Sequence, residues 1–192
     1  IKGNNNVGSI SGYNYGLIEN VFSLTNIKGN NNVGGIVGVN EGIINDLYVI
    51  GSVIGNNNIG GIIGENKGSL NNSYSSSDVF GNDNIGGIVG FSTGDESYSY
   101  YNLSKVDISN NDNLLKPNNA VNNKPNNDDV KGITTNDLYS LDNLFENDNW
   151  TYEKSTGFYA YYPQLNVFAN SIYKDIKEFS KESVLVNKFN EG

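Results

Sequence analysis

The chain is written on a strict period. The ten residues from Gly29 to Gly38, Gly-Asn-Asn-Asn-Val-Gly-Gly-Ile-Val-Gly, recur with few changes at 3–12, 55–64 and 81–90, always 26 residues apart and with no insertion or deletion. A short fixed period marks a repeat architecture, in which no single copy buries its own apolar side and each copy stacks on the next. Four glycine columns hold in every copy: Gly3/Gly29/Gly55/Gly81, Gly8/Gly34/Gly60/Gly86, Gly12/Gly38/Gly64/Gly90 and Gly16/Gly42/Gly68/Gly94. Glycine kept at one place in every turn implies positive φ or close backbone approach.

Aliphatic columns fall between the glycines: Val7/Val33/Ile59/Ile85, Ile10/Ile36/Ile62/Ile88 and Ile18/Ile44/Leu70. These apolar runs are too short and too glycine-broken for helices, and their β-branched content reads as short strands. The expected fold is all-β, a right-handed parallel β-solenoid of four 26-residue repeats over 1–106. Coils about 4.8 Å apart would make a rod of roughly 19 Å. A propeller is the alternative all-β repeat fold, but its blades usually take about 40 residues or more.

After Gly94 the pattern decays, with Asp95-Glu96 where an aliphatic pair is due. Residues 107–131, rich in Asn, Asp and Pro, read as a long mobile loop. Residues 132–168 read as a C-terminal cap over the open end of the solenoid. In it a short helix is predicted from Thr135 through Phe145, with Leu138, Leu141, Leu144 and Phe145 at helical spacing. The remainder, 169–192, reads as a tail or linker to a next domain, with a short helix expected at Ile172, Ile176 and Phe179.

Composition narrows the chemistry. With a net charge of −9, 12 lysines and no arginine, the chain lacks the basic face that a nucleic-acid binder needs. It has no histidine and no cysteine, which removes Ser-His-Asp and Cys-His nucleophiles, the HExxH zinc motif and any disulfide. The carboxylates Glu41, Asp46, Glu65, Asp78, Asp83, Asp95 and Glu96 fall in different columns, so spacing pairs no acid with a base. No cofactor or metal is expected. Calcium would need the repeated aspartates of its glycine-rich nonapeptide, whereas here the turns carry asparagine. Asn4/Asn30/Asn56/Asn82 and Asn6/Asn32/Asn58/Asn84 are instead expected in left-handed turns, bonded in ladders from coil to coil. No apolar run approaches the roughly 20 residues of a membrane helix. Lacking methionine, the chain reads as a module of a larger protein, and its 37 asparagines suggest a low-GC bacterial genome.

One column stands out as a candidate ligand site. Phe22, Tyr48, Tyr74 and Tyr100 recur on the face opposite Ile27/Val53/Val79 and so point outward if period-two alternation holds. Such a ladder either grips the C–H faces of a sugar or is covered by the C-terminal segment folding back along the rod.

The columns resemble the GLUG repeat, whose pattern is V-G-G-[IL]-[VI]-G-x-N-x-G followed by I-x-[ND] and an aromatic. Residues 33–48, VGGIVGVNEGIINDLY, match at nearly every place and 59–74 almost as well; the first copy departs at Ser9 and Ser11, the fourth at Ser92. Chains with this repeat are typically large secreted or wall-attached bacterial proteins, including adhesin-like chains and IgA1-type zinc metallopeptidases. In the latter the repeats lie outside the catalytic domain. The motif brings no functional residues with it. The resemblance implies a non-catalytic, extracellular module of a bacterial surface protein, a stalk or an adhesive surface for a host glycan or matrix protein. The alternative is an accessory region of a secreted metallopeptidase or glycan-active enzyme.

Overall fold

Each 26-residue copy becomes one coil of two short strands and one long one. The computed structural model describes residues 1–103, 117–140, 144–145, 148–151 and 163–169. The first coil holds β1 (Asn5–Val7), β2 (Ser11–Asn14) and β3 (Leu17–Lys28); the second holds β4 (Asn31–Gly34), β5 (Val37–Asn40) and β6 (Ile43–Ile54). β7 (Asn57–Gly60), β8 (Ile63–Asn66) and β9 (Ser69–Phe80) form the third, and in the fourth the two short strands merge as β10 (Asp83–Ser92) ahead of β11 (Asp95–Asn102). Through these four coils each strand pairs in parallel with its counterpart in the next, as in Leu47↔Ser73 and Val33↔Ile59. The fold is an all-β parallel solenoid of about four turns, with a short helix near the C-terminal end.

Two sheets enclose the core. The short strands make one sheet and the long strands the other. Between them lie Ile36, Val37, Ile44, Leu47, Val49, Ile62, Ile63, Leu70, Ile88 and Val89, all without exposed surface. A second cluster, Val7, Ile27, Val33, Val53, Ile59, Val79 and Ile85, fills the neighbouring corner. The aliphatic columns therefore supply the interior, as their recurrence implied, except in the first coil, where Ile10 is 52% exposed and Ile18 only partly buried.

Corners are set by asparagine as much as by glycine. Asn6, Asn32, Asn58 and Asn84 all have φ between 51° and 55°, the left-handed turn expected of them, whereas Asn4, Asn30, Asn56 and Asn82, for which the same turn was expected, do not have positive φ. A second left-handed column, Asn20, Asp46 and Asn72, kinks each long strand, and Tyr98 follows it at φ 43°. Because of that kink Ile44 and Leu47, three apart, both reach the core. The glycine columns serve close approach and not positive φ. A Cβ on Gly64 would lie 2.4 Å from the Asn32 carbonyl carbon, and one on Gly42 would lie 2.0 Å from the Gly16 oxygen.

The polar stretch after the fourth coil corrects the loop expectation over its described part. β12 (Asn119–Val121) pairs in parallel with β10, and β13 (Val130–Ile133) with β11, so a partial fifth coil closes the stack. Composition hid this because a strand of three or four residues needs only one or two inward side chains. Here Ala120, Val121 and Val130 join the core. The asparagines between them satisfy backbone. Asn123 accepts from the Ser92 amide at 2.8 Å and donates to its carbonyl at 2.7 Å, standing in for a further strand. Asn127 accepts from the amides of Asp129 and Val130. Residues 104–116, which hold the expected repeat boundary and the start of the loop, lie outside the described residues.

Residues Ile1–Thr134 form one compact unit and Thr135–Gly192 another. In the second, α1 (Thr135–Ser140) starts where expected, but Leu144 and Phe145 are not helical. Phe145 stacks on Trp150 with centroids 4.1 Å apart. β14 (Trp150–Thr151) pairs antiparallel with β15 (Gln164–Leu165), followed by the single turn α2 (Asn166–Ala169). The stretch 152–162 and the tail from 170, with its expected short helix at Ile172, lie outside the described residues. Among the described residues no helix is long and apolar enough to cross a membrane.

Candidate functional site

The aromatic column forms as a column and is closed. Phe22, Tyr48, Tyr74 and Tyr100 are register partners along β3, β6, β9 and β11. Tyr48 and Tyr74 stack 5.3 Å apart at 4°, and Phe22 continues the stack at 13°. They alternate with the core residues Leu47 and Val49, as period two requires. Yet Tyr48 and Tyr74 are 0% exposed and Tyr100 only 5%, with Phe22 half-buried. A sugar cannot stack on rings that present no face to solvent, so the four residues brought together do not make the open platform that outward alternation promised.

Burial has a consequence for pH. It pushes the phenols of Tyr48, Tyr100 and Tyr101 upward, Tyr100 to about 12 with the nearby charge of Asp129 adding to the effect. A raised folded-state value means the neutral phenol is favoured by folding. That stability is full below the ordinary phenol value of about 10 and is lost as pH climbs through the folded values. In an alkaline titration followed by tyrosinate absorbance and circular dichroism, one group of tyrosines should ionise near pH about 10 and the rest only as the fold is lost. Ionisation of all 13 tyrosines in one step, with the fold intact, would contradict the burial.

Buried amides occupy the opposite corner. Asn14 Nδ2 donates to Asn40 Oδ1 at 2.8 Å, Asn40 Nδ2 to Asn66 Oδ1 at 2.8 Å, and Asn66 Nδ2 to Glu96 Oε1 at 2.7 Å. Each of the three also accepts from the amide of the glycine two residues on, Gly16, Gly42 or Gly68, at 3.2 Å. Glu96 stands where Ile18, Ile44 and Leu70 stand in earlier coils, its side chain 2% exposed, and Lys124 meets it at 2.7 Å. The run ends on a neutralised acceptor. Outside, the expected ladders are present: Asn58 bonds Asn32 at 2.8 Å and Asn84 bonds Asn58 at 2.9 Å. Asn56 bonds Asn30, and Asn82 bonds Asn56, both at 3.0 Å.

The corner that these buried amides hold is, on its solvent side, an open groove of about 560 Å³. Its floor is Gly16, Gly42 and Gly68; one wall carries Tyr15, Glu41 and Lys67, the other Leu17, Ile43, Ser69 and Asp95. Tyr15 stacks on Tyr13 with centroids 4.5 Å apart, and the Tyr13 hydroxyl donates to Glu41 Oε1 at 2.5 Å. That hydrogen bond holds the Tyr13 proton and raises its phenol above the usual range, while lowering Glu41. Lys67 bridges Glu41 at 3.3 Å and Glu65 at 3.5 Å. The sequence offered Glu41, Glu65 and Asp95 only as unpaired carboxylates and did not single out Tyr13, Tyr15 or Lys67. The available signal was the variation itself: beside an invariant glycine, the column Tyr15/Glu41/Lys67/Thr93 changes in every coil and sets opposite charges one period apart.

No group of three or more His, Cys, Asp or Glu side chains converges among the described residues. Neither a family model, nor a curated protein, nor a solved structure matches this chain, so it is characterised by its solenoid geometry and by the two columns described above.

Proposed function

We propose that this chain is a non-catalytic, extracellular module of a bacterial surface protein, a stalk that also offers an adhesive surface to host glycan or matrix protein. One observation carries the reading: side chains that recur from coil to coil are bonded to their own counterparts. The asparagine ladders, the tyrosine stack and the glycine columns are all spent on holding one coil to the next. A catalytic solenoid would keep some recurring polar group free to meet substrate. The absence of histidine, cysteine and arginine and the likeness to GLUG repeats support the same reading.

The test is labelling of intact cells of the source organism with antibody raised against the purified chain. Labelling without permeabilisation is expected. Labelling that requires permeabilisation would place the protein inside the cell and end the proposal.

A further inference from the structure

We propose that the groove over Gly16, Gly42 and Gly68 binds an extended neutral glycan. This deepens the adhesive part of the function proposed above and rests on it.

Tyr15 supplies the first argument. Tyr15 is 73% exposed as a residue, and its ring is backed by Tyr13, whose hydroxyl is tied to Glu41. Holding the ring from behind lowers the entropy lost when a pyranose packs its C–H face on the aromatic surface. Leu17 and Ile43, 56% and 48% exposed, continue the apolar surface along the facing wall. Further along the rod the same wall becomes Ser69 and Asp95, opposite Lys67. An occupant must therefore offer apolar faces and hydroxyls together, and must run along the rod. A glycan chain has that character.

Backbone bonding argues against a peptide. A peptide gains affinity by adding a strand to a free sheet edge. The groove runs across strands, and its floor is already paired: the Gly16 carbonyl accepts from Ile43, that of Gly42 from Ser69 and that of Gly68 from Asp95, at 2.8 to 3.0 Å. The glycine amides are held from beneath by Asn14, Asn40 and Asn66. Only side chains remain to recognise a ligand. The floor is also fixed in shape, since a Cβ on Gly42 or Gly68 would strike the preceding coil at 2.0 Å.

Charge narrows the glycan. Glu41 and Glu65 pair with the ammonium of Lys67, Asp95 lines the same groove, and the whole chain carries −9. Uronic, sialylated or sulfated chains are repelled by such a field.

The experiment is a glycan array probed with the full chain and followed by calorimetry with the best neutral tetrasaccharide. Tyr15→Ala and Ile43→Asp variants are run beside it, with folding verified by circular dichroism and thermal melting. Saturable binding of neutral oligosaccharides, weakened at least about tenfold in both folded variants, is the expected result. No binding of any neutral glycan, preference for anionic glycans, or binding unchanged in the variants would overturn the proposal. Failure here would remove the glycan while leaving surface location to the antibody labelling, so the two readings fail separately.

Discussion

Gly42→Ala is expected to destabilise the solenoid by about 3 kcal/mol or more, while Gly16→Ala, in the same column one coil earlier, leaves it unharmed. The two positions share a glycine and a place in the repeat. They differ in what lies beneath. A Cβ on Gly42 would sit 2.0 Å from the Gly16 oxygen and 2.8 Å from its nitrogen, whereas one on Gly16 would meet nothing within 4 Å. Those obstacles are backbone atoms of the preceding coil, already hydrogen-bonded, so relief requires the coils to part and the Gly16–Ile43 bond to lengthen. Neither glycine has positive φ, so alanine at Gly16 carries no backbone strain. It can even gain about 0.5 kcal/mol by restricting the unfolded chain. Urea denaturation of both variants measures the difference. Equal losses at the two sites would mean that glycine serves local conformation and not coil stacking.

Lys124→Ala is the second large effect, expected at about 3 kcal/mol. The loss comes from stranding a charge. The Glu96 side chain is 2% exposed, and of its partners Asn66, Ser92 and Lys124 only the last is cationic. Lys124 itself is about a third exposed, which places the estimate at the lower end for a broken buried pair. Removing the carboxylate as well should recover most of the loss. In Glu96→Leu/Lys124→Ala the leucine restores the aliphatic column of Ile18, Ile44 and Leu70, and stability within about 1 kcal/mol of the parent is expected. A double variant as unstable as the single one would show that Lys124 acts through its contact with the Gly94 carbonyl and not through charge.

The period made the coil legible before any coordinate. Columns of valine, isoleucine and leucine recurring at 26 residues can be buried together only by stacking, and that is how Val33, Ile59 and Ile85 meet. The left-handed turn at Asn32 was legible for the same reason, since asparagine tolerates it and recurs there. The kink at Asp46 was not drawn from its column, although Asn20 and Asn72 share it, and without it the inward turn of both Ile44 and Leu47 has no explanation. Residues 119–133 were missed because their few apolar side chains are diluted by asparagines that serve as backbone partners. Direction was readable for Tyr48, from its alternation with Leu47 and Val49, but accessibility was not. Whether an outward ring is wet depends on what lies over it, and strand periodicity carries no such information.

The groove illustrates a different limit. Its floor follows from the invariant glycines, but its chemistry comes from positions that do not repeat, and a search for recurrence passes over them. Tyr15, Glu41 and Lys67 occupy equivalent places in successive coils, so the solenoid brings residues 26 apart into contact and sets three different side chains side by side. In a repeat protein the recurring columns hold the frame, and the varied columns beside them are where recognition can differ from coil to coil.

Removing one coil tests whether the frame is a stack of interchangeable units. Deleting residues 55–80 joins Ile54 to Gly81 and brings Asn32 against Asn84, Asn40 against Glu96 and Tyr48 against Tyr100, each a pairing of the kind already present. Thermal melting followed by circular dichroism should show the same β spectrum and a single cooperative transition at lower temperature. Deleting only 55–67 breaks the register and should leave a chain that does not fold. Loss of the fold in the first chain, or equal melting of the two, would contradict stacking at a 26-residue period.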